Sequence, residues 1–217
     1  MNKNLVNEIN AAFKKVRVVN YDLSDLAARL SIPDKNANKY SRGCCNVIAG
    51  DERYPGAAEL ACLATERIGA GYTKLYTHAS NVKDLAVALA SEPATSFFNI
   101  NKKNISHSGK HAFVVGPGFT PYHVMEIELV KKVFKFADCR VVVDGGALSA
   151  LSFRSVRKII QRRAKQGLQT VITPHMGEAF HIAKALNIVK CRKQMKNVSI
   201  VKLCFIMSYL LNCCVVL

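Results

Sequence analysis

The sequence predicts an α/β fold in which a mostly parallel central sheet is flanked by helices. Short apolar runs alternate with amphipathic ones along the chain, a pattern typical of buried parallel strands connected by helices. Several of the apolar runs end in Gly, Asp or Pro, and a helical pattern begins soon afterwards. The 217 residues contain no internal repeat and no low-complexity linker, so we expect one domain over residues 1–217.

The predicted elements alternate in chain order. Short β-branched runs predict strands at 45–49, 72–77, 111–115, 140–143 and 170–173. Apolar residues spaced three and four apart predict helices at 22–30, 57–68, 82–89, 124–136, 154–166 and 178–186. The apolar segment 203–217 predicts a buried helix and then a buried strand, because about 15 residues are too few for a membrane-spanning helix.

The charge and the cysteines limit the class of protein. A net charge of +16 is compatible with nucleic acid, with a membrane surface, with phosphorylated ligands or with a Lys-rich proteome. The chain shows no clear basic face with interleaved aromatic residues, so we expect neither a specific nucleic-acid partner nor a membrane. We interpret the densest basic cluster as a solvated helix face; its members are Arg154, Arg157, Lys158, Arg162, Arg163 and Lys165.

The eight cysteines form no Cys-x-x-Cys pair, and residues 1–15 contain no apolar export segment. Cys44, Cys45, Cys62 and Cys139 lie inside apolar runs, where free cysteine behaves as a small hydrophobic residue. We therefore expect a reducing, cytoplasmic compartment. The histidines show no metal-ligand spacing with Cys or carboxylates, so no protein-held metal is predicted.

Four loops each follow a predicted strand, and ligands bind beyond the carboxyl ends of strands in open α/β sheets. We define loop 1 as residues 50–57, loop 2 as 116–119, loop 3 as 144–147 and loop 4 as 173–178. The sequence predicts that these loops line one cleft.

Loops 1 and 2 are rich in glycine. Gly56 permits close backbone approach, and Ala57 opens a helix whose free N–H groups can face an anion. Gly116 and Gly118 flank a proline in a rigid turn that suits a flat or phosphorylated ligand. An ordinary strand–helix connection and a plain tight turn are the alternatives.

Loops 3 and 4 carry side-chain chemistry. Asp144 ends a buried strand and has three possible roles: capping the next helix, holding a Mg²⁺–phosphate group, or binding a substrate hydroxyl. His175 follows a proline at a strand end and is expected to face the cleft, or to be structural. Glu178 begins the next helix, where the helix dipole favours its charge.

Taken in order, these segments resemble the ADP-dependent NAD(P)H-hydrate dehydratase family of the ribokinase-like superfamily. The resemblance rests on Tyr-Pro-Gly-Ala-Ala at 54–58, Gly-Pro-Gly at 116–118, Asp-Gly-Gly-Ala-Leu at 144–148 and Thr-Pro-His-Met-Gly-Glu at 173–178. Lys39 to Gly43 is similar to the Lys-Gly-x-x-Gly segment that precedes them. The last of the four loops is the most specific of the set.

The resemblance implies a carbon–oxygen lyase that uses ADP or ATP with Mg²⁺ to convert hydrated NADH or NADPH back to NADH or NADPH. It implies Ala57, Gly118 and His175 as substrate-binding residues and Gly56, Gly116, Asp144 and Glu178 as supporting ones. It leaves a homo-oligomer open. The alternatives are a vitamin-precursor kinase of the same superfamily and a non-catalytic, basic nucleic-acid-binding module.

Several positions depart from the family pattern. Asn38 and Tyr40 replace the usual His and Gly, and Met176 replaces the usual Pro. The family's later Gly-x-Gly-Asp motif, whose Asp is the expected base, does not occur in residues 1–217. We therefore assign no catalytic residue, expect the C-terminal third of the fold to be absent, and expect the chain alone to be impaired.

Overall fold

In the computed structural model, a sheet of parallel strands lies at the centre of the protein. The structure describes residues 3–16, 22–29, 32–91, 95–99, 111–190 and 198–216. The described residues form seven strands in the order β3-β2-β1-β4-β5-β6-β7. The strands are β1 Cys44–Ile48, β2 Tyr72–Thr77, β3 Thr95–Asn99, β4 His111–Val115, β5 Arg140–Val143, β6 Thr170–Ile172 and β7 Cys214–Val215. The predicted α/β class with a parallel sheet is confirmed.

The direction of strand addition reverses between β1 and β4. From β1 the chain adds β2 and β3 on one side, whereas β4 to β7 extend the other side. The two central strands pair in parallel, with Ile48 opposite Val115 at their carboxyl ends. In open α/β sheets such a reversal is the place where ligands bind.

Helices cover both faces of the sheet. They are α1 Lys3–Phe13, α2 Leu23–Arg29, α3 Lys39–Arg42, α4 Pro55–Arg67, α5 Val82–Ala88, α6 Val124–Phe136, α7 Arg154–Lys165, α8 Met176–Ala185 and α9 Ile200–Leu211, with 3-10 helices at Ala79–Asn81 and Gly145–Ser152. Alternate side chains of β1 point to opposite faces. Val47 packs with α4 and α5, and Ile48 packs in the core beneath α6, α7 and α8.

Most predicted elements are confirmed to within two residues. The helix expected at 57 begins at Pro55, because proline suits the first helical position. The apolar C-terminal segment forms α9 and then β7, as predicted, but the strand is not buried, because Cys214 is exposed and Val215 only half-buried. No helix among the described residues is both long and apolar enough to cross a membrane. Five elements were not predicted from the sequence: α1, α3, β3 and the two 3-10 helices.

The basic helix α7 differs from its prediction at one position. Arg154, Lys158, Arg162 and Lys165 are exposed, but Arg163 is only 2% exposed. Its guanidinium donates to the carbonyl oxygens of three residues, Phe134, Ala137 and Cys139, which join α6 to β5. Burial lowers the pKa of Arg163, and the three carbonyls replace its lost hydration. The prediction of a solvated face is therefore wrong for Arg163.

The cysteines behave as predicted. All of those in the described part of the chain are free thiols, and Cys44, Cys45, Cys62 and Cys139 are buried. Burial raises the pKa of Cys45 and of Cys62 to about 12. These thiols are therefore uncharged packing groups at neutral pH.

Candidate functional site

The four loops lie side by side along one edge of the sheet. They follow β1, β4, β5 and β6, which are neighbours in the sheet and run parallel. Strands are about 4.8 Å apart, so the row from loop 1 to loop 4 spans about 14 Å. We call this row of loops the carboxyl-edge site.

Loops 1 and 2 are joined through their backbones at the reversal point. Gly50 N–H donates to Pro117 O at 2.9 Å, and Asp51 N–H donates to Gly118 O at 3.2 Å. Gly118 has a φ of +75°, and a Cβ there would lie 2.8 Å from the Cβ of Ala57. Two of the predicted substrate-binding residues are thus in contact, and only glycine fits the second position.

Gly56 differs from the other loop glycines because it has open space around it. A Cβ at this position would meet nothing within 4 Å. Gly56 lies in the first turn of α4, and Tyr54, the residue before that helix, makes no side-chain capping bond. The face of this turn at Gly56 is therefore open, although Ala57 N–H already donates to Tyr54 O at 3.3 Å.

Loop 2 also interlocks with loop 3. A side chain at Gly116 would overlap the carbonyl oxygen of Asp144 and the Cβ of Ala147, and one at Gly146 would overlap the carbonyl oxygen of Phe119. Gly116 has a φ of +111°. Glycine at these positions serves the close packing of two loops, which is a structural role.

Asp144 does not cap the helix that follows it. Its side chain makes no capping bond to the 3-10 helix at Gly145–Ser152, and Oδ1 instead accepts a hydrogen bond of 2.8 Å from Thr173 Oγ1. The capping alternative is therefore wrong, because the carboxylate turns toward loop 4. This hydrogen bond joins loops 3 and 4.

His175 and Glu178 form a reciprocal cap at the start of α8. Gly177 N–H donates to His175 Nδ1 at 3.0 Å, and His175 N–H donates to Glu178 Oε2 at 2.9 Å. Since Nδ1 accepts a bond, the proton of the neutral ring is on Nε2. The side chain of His175 is 74% exposed, and its Nε2 lies 3.5 Å from Glu178 Oε1, so this edge of the ring faces the Glu178 carboxylate as well as solvent.

The carboxyl group of Glu178 is held partly out of water. Burial raises its pKa, the bonds to His175 oppose that rise, and the nearby charge of Asp144 adds to it. Two carboxylates therefore lie close together at the loop 4 end of the site. Such a pair binds a cation or a hydroxyl more readily than a second anion.

A polar cluster beside loops 1 and 2 was not predicted. Asp51 accepts hydrogen bonds from the backbone N–H groups of Arg53 and Tyr54 and from the hydroxyl of Thr120, which also accepts a bond from Arg53. Burial opposes ionisation of Asp51, but these hydrogen bonds outweigh it and hold the pKa of the carboxyl below its usual value. The carboxylate therefore stays charged and fixes loop 1 against loop 2.

Glu126 lies near the same cluster in the first turn of α6. Its Oε2 is buried and has no hydrogen-bond partner among the described residues. Burial raises the pKa of Glu126. Gly50 next to Asp51 was a usable sequence signal for a turn, but nothing in the sequence indicates Thr120 or Glu126.

The described residues contain no group of three or more His, Cys, Asp or Glu side chains that could hold a metal ion. Mg²⁺ is commonly bound by one or two carboxylates together with substrate phosphates. The side chains present therefore fit Mg²⁺ that arrives on a nucleotide.

The segment Lys39 to Gly43 lies at the opposite edge of the sheet. Arg42 donates through Nε and Nη2 to Gly69 O at 3.1 and 2.7 Å, and a Cβ at Gly71 would overlap the backbone of Lys39. This segment packs against the turn between α4 and β2. A cavity of about 680 Å³ adjoins it, lined in part by Asp34, Ser41 and Ile68, and is remote from the four loops.

The chain is similar to known dehydratases over most of its length. The model of the NAD(P)H-hydrate dehydratase family matches residues 45–217. An ADP-dependent (S)-NAD(P)H-hydrate dehydratase of Xanthomonas campestris pv. campestris is 30% identical over 190 residues, which are 79% of this chain and 62% of that protein.

Solved structures agree with this result. An ADP/ATP-dependent NAD(P)H-hydrate dehydratase from Bacillus subtilis, co-crystallised with ATP/Mg²⁺, is 25% identical, with a TM-score of 0.61 over 79% of this chain and 59% of that one. A ribokinase-like superfamily protein from Enterococcus faecalis shares the fold at 16% identity, with a TM-score of 0.61 over 87% of this chain and 61% of that one.

The chain spans less than two thirds of the length of these relatives. The match begins at β1 and includes all four loops of the carboxyl-edge site. On the extent of this match, the chain belongs to the NAD(P)H-hydrate dehydratase family.

Proposed function

We propose that the protein takes part in the repair of nicotinamide nucleotides, by removing the added water from hydrated NADH or NADPH with ADP or ATP and Mg²⁺. One observation supports the proposal above all: Ala57 contacts Gly118, and both lie in the same row of loops as His175. The relatives named above are NAD(P)H-hydrate dehydratases, and the four loops lie within the matched segment.

Each loop has a role in this proposal. The bare backbone of loops 1 and 2 supports a flat nucleotide at Ala57 and Gly118, with its phosphates near the open first turn of α4. His175 offers an Nε2–H donor, and Asp144 offers a carboxylate to Mg²⁺ on the nucleotide or to the substrate hydroxyl. Gly56, Gly116 and Glu178 support these groups.

The nucleotide would supply the chemistry that makes the hydroxyl a good leaving group. Phosphorylation of the hydroxyl, followed by elimination, would regenerate the reduced nicotinamide. Elimination needs a positioned base, and residues 1–217 contain no Gly-x-Gly-Asp sequence. We therefore assign binding and orientation, but not the base, to the described residues.

The test measures regained absorbance of reduced nicotinamide after mixing hydrated NADH, ADP or ATP, and Mg²⁺ with protein. One sample is residues 1–217 alone. The other is a chimaera in which the Bacillus subtilis dehydratase supplies the region that follows its counterpart of Leu217. We expect turnover by the chimaera and little by residues 1–217. A folded chimaera without turnover, together with no binding of hydrated NADPH to residues 1–217, would contradict the proposal.

A further inference from the structure

Arg53 has an unusual position in the charge distribution of the chain. The sequence has 31 Lys and Arg residues, yet Arg53 is the single Lys or Arg within the four loops. The same loops carry the carboxylates of Asp51, Glu52, Asp144 and Glu178. A dinucleotide that binds there is itself anionic, so this edge requires a cation or a set of N–H donors.

The guanidinium of Arg53 is oriented by its neighbours and still has N–H donors available to a ligand. Its side chain is 63% exposed and its Nε lies 4.0 Å from Asp51 Oδ2, while Nη2 donates to the hydroxyl of Thr120. A guanidinium has five N–H donors. The remaining donors make no hydrogen bond to the described residues, and the exposure leaves them open to a ligand.

Arg163 shows how an arginine with a purely structural role is placed in this fold. That side chain is buried, and its three nitrogens donate to the backbone or to Thr170. Arg53 is exposed and donates to one hydroxyl. The backbone of loop 1 at Arg53 is fixed separately, because Asp51 Oδ1 accepts from Arg53 N–H at 2.8 Å and from Tyr54 N–H at 3.0 Å.

We propose that Arg53 binds a phosphate group of the hydrated dinucleotide and so helps to select this substrate; the assignment rests on the proposed function. The planar guanidinium matches phosphate through two parallel N–H···O bonds. Asp51 and Thr120 orient the side chain from behind, at the point where β1 and β4 meet. Arg53 lies three residues before Gly56, so its charge adds to the open first turn of α4.

The experiment is isothermal titration of residues 1–217 with hydrated NADPH, hydrated NADH and ADP in separate runs. The variants are Arg53→Gln and Arg53→Lys. Arg162→Gln is the matched control, because it removes the same charge from an exposed position on α7. We expect Arg53→Gln to weaken binding of a hydrate by about tenfold or more, and Arg53→Lys to weaken it less. Arg162→Gln should leave the affinity for both hydrates unchanged. The affinity for ADP and the Tm should be the same in all variants.

The three ligands separate the sources of the phosphate. A loss with hydrated NADPH alone supports the assignment and identifies the 2′-phosphate, whereas a loss with both hydrates supports it and identifies the pyrophosphate. Equal affinities of Arg53→Gln and wild type for both hydrates would overturn the assignment, as would a loss confined to ADP. A wild-type chain that binds neither hydrate overturns the proposed function and this assignment with it.

Discussion

The hydroxyl of Thr173 donates a 2.8 Å hydrogen bond to Oδ1 of Asp144, and it links two loops that are 29 residues apart in the chain. Asp144 directly follows β5 and Thr173 directly follows β6, so the bond crosses between neighbouring strands at the carboxyl edge. The carboxylate of Asp144 is thereby directed along the row of loops instead of toward its own helix.

Thr173→Val should test this link, because valine keeps the shape and removes the donor. Loss of the hydrogen bond to this partly buried carboxylate should lower the free energy of unfolding by about 1–2 kcal/mol. We also expect weaker binding of Mg²⁺–ADP. Urea denaturation and calorimetric titration measure the two effects. Thr65→Val is the control, since Thr65 bonds to backbone carbonyls of α4 away from the site; equal losses of nucleotide affinity in both variants would contradict the prediction.

Gly118→Ala should be more harmful than Gly167→Ala. Both glycines have a φ of +75°, but a Cβ at Gly167 meets nothing within 4 Å, whereas one at Gly118 lies 2.8 Å from Ala57 Cβ and from Tyr54 O. The positive φ alone costs about 1–2 kcal/mol, and overpacking adds about 1–3 kcal/mol at Gly118. Urea denaturation of both variants checks the difference. Equal losses would show that loops 1 and 2 separate easily.

Gly56→Ala should separate ligand binding from stability. The added methyl group has open space and replaces glycine within a helix, so the unfolding free energy should stay constant or rise by about 0.5 kcal/mol. If a nucleotide lies on the first turn of α4, the same methyl group obstructs it. We therefore expect weaker binding of hydrated NADPH with an unchanged or higher Tm. Unchanged affinity would place the ligand elsewhere.

Glu126→Gln should stabilise the protein at neutral pH. Burial raises the folded-state pKa of Glu126 above its ordinary value of 4.5, so between these two values the folded state holds a proton that the unfolded state has released. Wild-type stability therefore falls as pH rises from about 4.5 through the folded-state pKa, and glutamine has no such charge to desolvate.

Urea denaturation at a series of pH values measures this effect. The advantage of Glu126→Gln should be absent near pH 4 and full at neutral pH. Glu128→Gln is the control, because Glu128 is an exposed residue of the same helix that pairs with Lys131 and such pairs contribute little. If the free energies of unfolding of wild type and Glu126→Gln changed with pH in the same way, the prediction would be refuted.

Binding to DNA should be non-specific at most. Of the six basic residues in the α7 cluster, Arg163 is buried and Arg157 donates to the carbonyl oxygens of Leu151 and Ser152. Any affinity should therefore come from counterion release and fall steeply between about 50 and 200 mM salt. Fluorescence anisotropy with two unrelated duplexes measures it. Tight binding to one duplex at physiological salt would contradict this prediction.

The sheet and most helices were predictable because their signals are local. Each of β1, β4 and β5 is a short apolar run, and α6 places Ile127, Val130 and Val133 on one buried face. The 3-10 helix at Gly145–Ser152 was missed because its glycines read as a loop. The loops of the site could be predicted because Gly, Pro, Asp and His occur at strand ends, and because their order resembles that of the dehydratase family.

The side-chain network of the site was not predictable, because its partners are distant in the sequence. Thr120 and Asp51 are 69 residues apart, and Arg163 donates to carbonyl groups up to 29 residues before it. Periodicity indicates which face of a helix is buried, but a buried guanidinium breaks the pattern wherever carbonyl oxygens are available to it. Only the folded chain shows where those oxygens lie.

The buried guanidinium of Arg163 also has a consequence for how the protein folds. It bonds to the end of α6, to the segment before β5 and to Thr170 at the start of β6, so it satisfies carbonyl groups from elements that must already be close together. If α7 undocked, the bonds of Arg163 to these three segments would all be lost together. The segment from α6 to β6 should therefore open and close as one cooperative unit, with amide protons that exchange together.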